Sequence, residues 1–215
     1  MIPDWEAERR AMVETQLRRR GIRDERVLRA MEQIPREEFV PADVRLLAYS
    51  DDAVPIGHGQ TISQPYMTAV MAELLELRGG ERVLEVGSGS GYAAAVLGAI
   101  AGKVVTVELI PGLADMAREH LRRAGRDGNV LVISGDGSAG YAAGAPYDAI
   151  SVAAGAPEVP ASLLDQLKDP GRLVIPVGER TDQELRLVWK RHGRIEERAS
   201  TPCRFVPLRG EEGWR

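Results

Sequence analysis

The chain of 215 residues is 44% hydrophobic, which suffices for one ordinary core and is too short for two. Its 28 basic and 32 acidic residues leave a net charge of −4, so no strong positive field argues for nucleic acid or an anionic membrane as a partner. A lone Cys203 excludes an intramolecular disulfide framework, and no Cys/His cluster has metal-ligand spacing, so no metal is expected. The opening Met1-Ile2-Pro3-Asp4-Trp5-Glu6 has neither a basic nor an apolar targeting region, and no run of about eighteen apolar residues follows. A cytoplasmic chain of one domain, working as a monomer, is the expectation.

Trp5, Met12, Val13 and Leu17 among charges predict an amphipathic helix from Trp5 to Arg20, ended by Gly21. Asp24 caps a second helix that turns Val27, Leu28, Met31 and Ile34 inward and stops near Pro35. Phe39 to Gln64 shows no clean period and reads as irregular, with one short strand. Pro65 suits a first helical turn, and Met67, Val70, Met71, Leu74 and Leu75 follow at core spacing.

Strands then alternate with helices. The pattern is strand Arg82 to Val86, helix Ser90 to Ile100, strand Val104 to Glu108, helix Pro111 to Ala124 and strand Val130 to Ile133. It continues with strand Tyr147 to Val152, helix Pro160 to Leu167 and strand Arg172 to Val177, so βαβ units and a parallel sheet are expected. Leu185 to Lys190 and Ile195 to Phe205 finish the sheet as a hairpin turning at His192-Gly193.

Gly87-Ser88-Gly89-Ser90-Gly91 follows directly on the apolar run Val83-Leu84-Glu85-Val86. Glycines at the carboxyl end of a buried strand let the backbone turn sharply, and the next helix offers free N–H groups, so a ligand belongs there. Glu108 ends the next strand, where its carboxylate can accept from both hydroxyls of a ribose. Gly89-x-Gly91-x-x-Ala94 also satisfies a relaxed dinucleotide fingerprint, so the glycines by themselves admit NAD. Three features favour S-adenosylmethionine. Glu85 suits an ammonium and a sulfonium better than a pyrophosphate. Asp136-Gly137 after the third strand can receive an adenine amino group, and Tyr147-Asp148-Ala149-Ile150 opens a strand as it does in methyltransferases.

Longer motifs surround that turn. They are Arg36-Glu37-Glu38-Phe39-Val40-Pro41, Gly59-Gln60-Thr61-Ile62-Ser63-Gln64-Pro65-Tyr66-Met67, Gly135-Asp136-Gly137, Leu164-Asp165-Gln166-Leu167, Gly171-Arg172-Leu173-Val174-Ile175-Pro176-Val177-Gly178 and Arg204-Phe205-Val206-Pro207-Leu208. With them the sequence resembles the protein-L-isoaspartate O-methyltransferases over nearly its whole length. Thr61 to Pro65 is the part specific to that family.

The resemblance implies a doubly wound, mostly parallel seven-stranded Rossmann-like α/β sheet with an N-terminal helical extension and an antiparallel C-terminal edge. Residues 1–78 would carry the substrate and catalytic loop, and 79–215 the cofactor core and last strands. It also implies repair: S-adenosylmethionine methylates the α-carboxylate of L-isoaspartyl residues in damaged proteins, and the ester closes to a succinimide. Ser63 takes the catalytic role. Gln60, Thr61, Ile62, Glu85, Gly87, Ser88, Gly89, Tyr92, Glu108, Leu109, Asp136 and Gly137 border the cofactor, and Val54, Ile56, His58, Phe205, Val206 and Leu208 border the substrate. Two departures stand out: Asp169 before Pro170-Gly171, where the family turn is tighter, and the variable segment Arg209 to Arg215.

The chemistry agrees with a sequence that has three histidines and no evident triad. A carboxylate with a pKa near roughly 4 is already ionised at neutral pH, so its methylation needs no general base. The local pattern alone makes Ser63 an N-cap for the helix at Pro65; the resemblance makes it an orienting donor. His58 reads equally as a loop donor or a substrate contact, Tyr92 as packing beneath the cofactor, and Cys203 as a small buried strand residue. One rival keeps the cofactor but esterifies aspartate in a peptide under maturation; such enzymes usually carry an added C-terminal region, of which there is no sign here. Another S-adenosylmethionine-dependent O-methyltransferase, a nicotinamide oxidoreductase and an inactive peptide-binding module are the remaining alternatives, and no base-flipping motif supports nucleic acid as substrate.

Overall fold

A computed structural model describes residues 3–214; Met1 and Ile2 of the opening and Arg215 of the terminal segment lie outside the described residues. The first helix starts as α1 (Trp5–Met12), where the Asp4 carboxylate accepts from the Ala7 N–H. It does not stay α-helical to Arg20. It widens to a π turn at Val13–Leu17 and tightens to a 3₁₀ turn at Arg18–Arg20 before Gly21, at φ 102°, ends it. The Thr15 hydroxyl donates to the Ala11 carbonyl inside that widened stretch, while Val13 and Leu17 both stay buried. Helix α2 (Glu25–Gln33) is capped by Asp24, as expected.

The segment expected to be irregular contains two 3₁₀ turns, Arg36–Phe39 and Ala42–Leu47, and two short strands. Strands β1 (Val54–Gly57) and β2 (Gln60–Ile62) form an antiparallel hairpin. Its tip reverses because Gly57, His58 and Gly59 all take positive φ, and no hydrophobic period announces such a turn. Helix α3 (Pro65–Leu74) follows, with Pro65 in its first turn.

The remaining elements are β3 (Arg82–Val86), α4 (Tyr92–Ile100), β4 (Lys103–Glu108), α5 (Pro111–Arg123), β5 (Val130–Ser134), β6 (Tyr147–Val152), α6 (Ala161–Gln166), β7 (Leu167–Gly178), β8 (Gln183–Arg191) and β9 (Arg194–Cys203). Seven strands form one sheet in the order β5-β4-β3-β6-β7-β8-β9, parallel from β5 to β7 and antiparallel from there to the edge. The expected doubly wound sheet with an antiparallel edge is therefore present, and His192 and Gly193, both at positive φ, turn its last hairpin. Two boundaries move. Helix α4 starts at Tyr92 rather than Ser90, because Gly91 sits at φ 89° and cannot continue a right-handed helix. Strand β7 begins at Leu167, through the region read as helix end and turn, and there the Asp169 carboxylate accepts from the His192 and Gly193 N–H groups.

Alternation along the strands divides the core between two faces. Val83, Val104, Ala149 and Val174 face the N-terminal helices, α4 and α5. Leu84, Val86, Val105, Val107, Ile150 and Val152 face α6 and the returning C-terminal segment. Strand order reverses between β4-β3 and β3-β6, which opens a crevice at their carboxyl ends. Leu84 is fully buried on the central strand. Leu84→Ala is expected to lower stability by about 2–5 kcal/mol through lost contacts and a residual cavity, read from the denaturant midpoint at unchanged slope.

Candidate active site

The crevice is built on a tie between two strand ends. Gly87 donates its N–H to the Val107 carbonyl at 2.8 Å, and one residue further the Glu108 carboxylate accepts from Gly89 N–H at 2.9 Å and Ile110 N–H at 3.0 Å. Glu108 is thereby fixed facing the glycine turn, with acceptor capacity left on each oxygen. Gly87, Ser88, Gly89, Glu108 and Leu109 line one cleft with Tyr92 and Gly137. Gln60, Thr61, Ile62 and Ser63 cross it from the hairpin side, and Val206 and Leu208 close it from the C-terminal side.

A second cleft adjoins the first and contains Arg20, Asp52, Tyr66, Cys203, Arg204 and Phe205. Thr61, Ser63, Ala153 and Val206 line both clefts, so the two meet at these residues. Ser63 does not cap α3, whose N-cap is Gln64 without a side-chain capping bond; the reading of Ser63 as that cap is therefore corrected. Its carbonyl accepts from Arg36 at 2.7 Å. Cys203, expected to be buried, is half-buried at the mouth of the second cleft, and burial followed by the Glu184 charge pushes its thiol up to about 11. Among the described residues lining either cleft there is no histidine.

Several expected site residues stand elsewhere. Val54 is buried opposite Ile62 in the hairpin. Ile56 reaches over Gly89, where its Cδ1 lies 3.3 Å from the place a Cβ would occupy, and the His58 ring covers Gly112 at the start of α5. Neither of these two side chains lines the second cleft. Glu85 lies on the β3 face that looks toward the N-terminal helices, beside Thr106 of β4, whose hydroxyl donates to it. The Thr106 hydroxyl also meets the Ser88 hydroxyl at 2.6 Å, so a short hydroxyl chain links Glu85 to the cleft wall.

Asp136 is engaged by the C-terminal segment. One oxygen accepts from the Ser138 N–H and hydroxyl, at 2.8 Å and 2.7 Å, and the other from the Glu211 N–H at 2.7 Å. Burial alone would raise its pKa; the Glu211 and Ser138 hydrogen bonds outweigh that and hold it below the ordinary value. The segment is pinned further by Glu212 N–H to the Ser138 hydroxyl at 3.0 Å and by the Trp214 indole N–H to the Gly155 carbonyl at 3.0 Å. Gly210, at φ 141°, is required there, since a Cβ would fall 2.1 Å from an Asp136 oxygen.

Sequence reasoning missed Ala153 and Ala154, which line the first cleft just beyond β6. The strand-end rule applied to Glu108 would have found them. Arg209 also lines it, and no local signal marks it, because the chain returns there after β9; Pro207, expected at the substrate end, lines this first cleft.

A doubly wound sheet with a glycine turn after its first parallel strand and a carboxylate closing the next is the framework of the S-adenosylmethionine-dependent methyltransferases. The residues fit such a cofactor: an apolar-walled cleft, a carboxylate at Glu108 held by two backbone N–H groups with acceptor capacity to spare, and backbone turns without Cβ atoms. The family model for protein-L-isoaspartate(D-aspartate) O-methyltransferase matches residues 7–213, and the chain belongs to that family. A protein-L-isoaspartate O-methyltransferase of Methanoculleus marisnigri is 56% identical over 208 residues, covering 97% of this chain and 94% of that one. A solved protein-L-isoaspartate O-methyltransferase superposes with a TM-score of 0.84 at 32% identity, covering 95% of this chain and 67% of its own. A Plasmodium falciparum structure of the same description, in complex with S-adenosyl-L-homocysteine, gives 0.81 at 29% identity, covering 94% and 98%.

Glu85 supplies a test of the site's electrostatics. Burial, reinforced by the Glu108 charge and opposed by the Thr106 hydrogen bond, pushes its carboxyl from 4.5 up to about 8. Between those values the folded chain holds a proton that the unfolded chain lacks, so Glu85 makes stability fall as pH rises through that window. Glu85→Gln removes the effect. Its stability relative to the parent is expected to climb from pH 4.5 to pH 8 and then level off; thermal melts showing a pH-independent difference would refute a buried neutral acid.

Proposed function

We propose that this chain repairs damaged proteins by moving a methyl group from S-adenosylmethionine to the α-carboxylate of L-isoaspartyl residues, with the transfer occurring at Ser63. One observation carries this reading: Ser63 lines both clefts at once. The first cleft has the chemistry for the methyl donor and the second, with Arg20 and Arg204 at its walls, for an extended peptide bearing a carboxylate.

Bound there, S-adenosylmethionine supplies an electrophilic methyl on a sulfonium whose departure leaves a neutral thioether. Glu108 holds the ribose end through its free lone pairs, and Gly87 to Gly89 leave room for the amino-acid end. Glu85 braces Ser88 of the cleft wall through the Thr106 hydroxyl. Phe205 and Val206 shape the path for the substrate backbone. Gln183, buried beneath, fixes Phe205 by accepting its N–H at 2.8 Å and donating to its carbonyl at 3.3 Å.

The carboxylate is the nucleophile and needs no proton removed, which suits clefts without a lining histidine. Ser63 would donate to one carboxylate oxygen and leave the other free to take the methyl. The cofactor would supply the methyl and leave as its thioether, and the neutral ester would close to a succinimide with loss of methanol. Alignment and exclusion of water are worth up to roughly 7–11 kcal/mol when complete.

The protein works as a monomer in the cytoplasm on isoaspartyl proteins and peptides, and not on nucleic acid. The net charge of −4 supports this reading, and no helix of the described residues is long and apolar enough to cross a membrane. Labelled methyl is expected on an isoaspartyl peptide and not on its aspartyl twin; equal labelling would sink the repair reading. Ser63→Ala is expected to lower kcat with little change in affinity for S-adenosylhomocysteine, whereas Glu108→Ala weakens that affinity most; the opposite pattern in kinetics and calorimetry would reverse the roles.

A further inference from the structure

If the transfer occurs at Ser63, something must hold that residue between the two clefts, and an unusual side chain stands behind it. Arg36 opens the 3₁₀ turn Arg36–Phe39 and is fully buried. Arginine is rarely buried to that degree without a paired charge. Its neighbour Glu37 is taken by the Tyr49 hydroxyl and by Arg9 at 3.6 Å.

Arg36 instead reaches two carbonyls. Its Nε donates to Ala48 at 2.7 Å and its Nη2 to Ser63 at 2.7 Å, while Nη1 has no hydrogen-bond partner among the described residues. The guanidinium also lies over the Tyr92 ring, 4.8 Å from its centroid, and Tyr92 lines the first cleft. Phe39 meets the same ring edge-on at 5.6 Å. Burying this charge is costly, and the cost is offset by the two carbonyls it reaches and by the Tyr92 ring; an apolar side chain of similar volume would leave the Ala48 and Ser63 carbonyls without their donor. What distinguishes Arg36 from a simple filler is that one of those carbonyls belongs to Ser63, where the two clefts meet.

We infer that Arg36 is a positioning residue for methyl transfer, a rigid fork that locks the Ser63 carbonyl to the Ala48 turn and to the Tyr92 wall of the first cleft. The planar fork sets two hydrogen bonds and a ring contact in one geometry, which a single ammonium cannot do. Freed from it, the Ser63 hydroxyl loses its register with the methyl donor although both clefts remain. This inference rests on the reading of Ser63 given above.

The test compares the full-length chain with Arg36→Lys, Arg36→Met, Ser63→Ala and the Arg36→Lys/Ser63→Ala double variant. Readouts are kcat and KM on an isoaspartyl peptide, affinity for S-adenosylhomocysteine and the thermal midpoint. Arg36→Lys is expected to lose kcat by tenfold or more, up to roughly a hundredfold, with peptide KM and cofactor affinity little changed. Arg36→Met loses more, so lysine gives partial rescue. The double variant turns over no more slowly than Ser63→Ala alone, because nothing remains for the fork to position.

A parental kcat in folded Arg36→Lys, with only a lowered thermal midpoint, would reduce Arg36 to a structural residue and overturn the inference. So would losses that multiply in the double variant. Should Arg36→Met fail to fold, the lysine cycle alone decides. A parental kcat in Ser63→Ala would overturn both readings, whereas a slow Ser63→Ala beside a fast Arg36→Lys would overturn only this one.

Discussion

Glu108 accepts two backbone N–H groups that belong to different loops, Gly89 after β3 and Ile110 after β4, and the geometry of the crevice follows from that tie. The register Val86↔Val107 brings the two strand ends level, so that the carboxylate one residue on faces the turn. An apolar residue at 108 would leave both amides unpaired at a place where water is largely excluded. With them paired, the turn keeps the left-handed residues from which α4 departs at Gly91.

Around that centre the site is closed by parts that are remote in the chain. The β1–β2 hairpin lays Ile56 over Gly89 and His58 over Gly112, and the C-terminal segment docks on Asp136 and Ser138. Both supply walls to the first cleft, and they meet across Ser63 and Val206. Buried ionisable groups stand behind these walls, Glu85 as a neutral acid under the glycine turn and Arg36 behind Ser63. A reaction that needs no proton moved makes use of such groups to hold position. It does not need a titrating base, and the clefts present no histidine for one.

Much of this was legible residue by residue. The alternation of apolar strands with helices, the glycine turn, the acid ending the next strand and the His192-Gly193 hairpin are all local signals, and each became the element it implied. The misjudged stretches share a cause. At Val13–Leu17 a π turn keeps the same apolar side chains inward as an α-helix would, so periodicity cannot separate them. At Leu167 the strand begins inside a pattern that fits a helix end equally well. Glu85 and Asp136 were grouped with Glu108 because all three adjoin strand ends. The pleat turns Glu85 to the other side of the sheet from Leu84, and Asp136 meets a segment 75 positions further along the chain.

The sequence by itself determined the class of sheet, the place of the cofactor turn and, through Thr61 to Pro65, the family, because each depends on residues within a few positions of one another. Only the tertiary structure decided which acids face the cleft, that Ser63 stands where two clefts join with Arg36 on its carbonyl, and that the segment from Pro207 to Trp214 docks on Asp136 and Ser138. Those facts depend on strand register and on loops brought together from distant parts of the chain. Local periodicity carries no record of either.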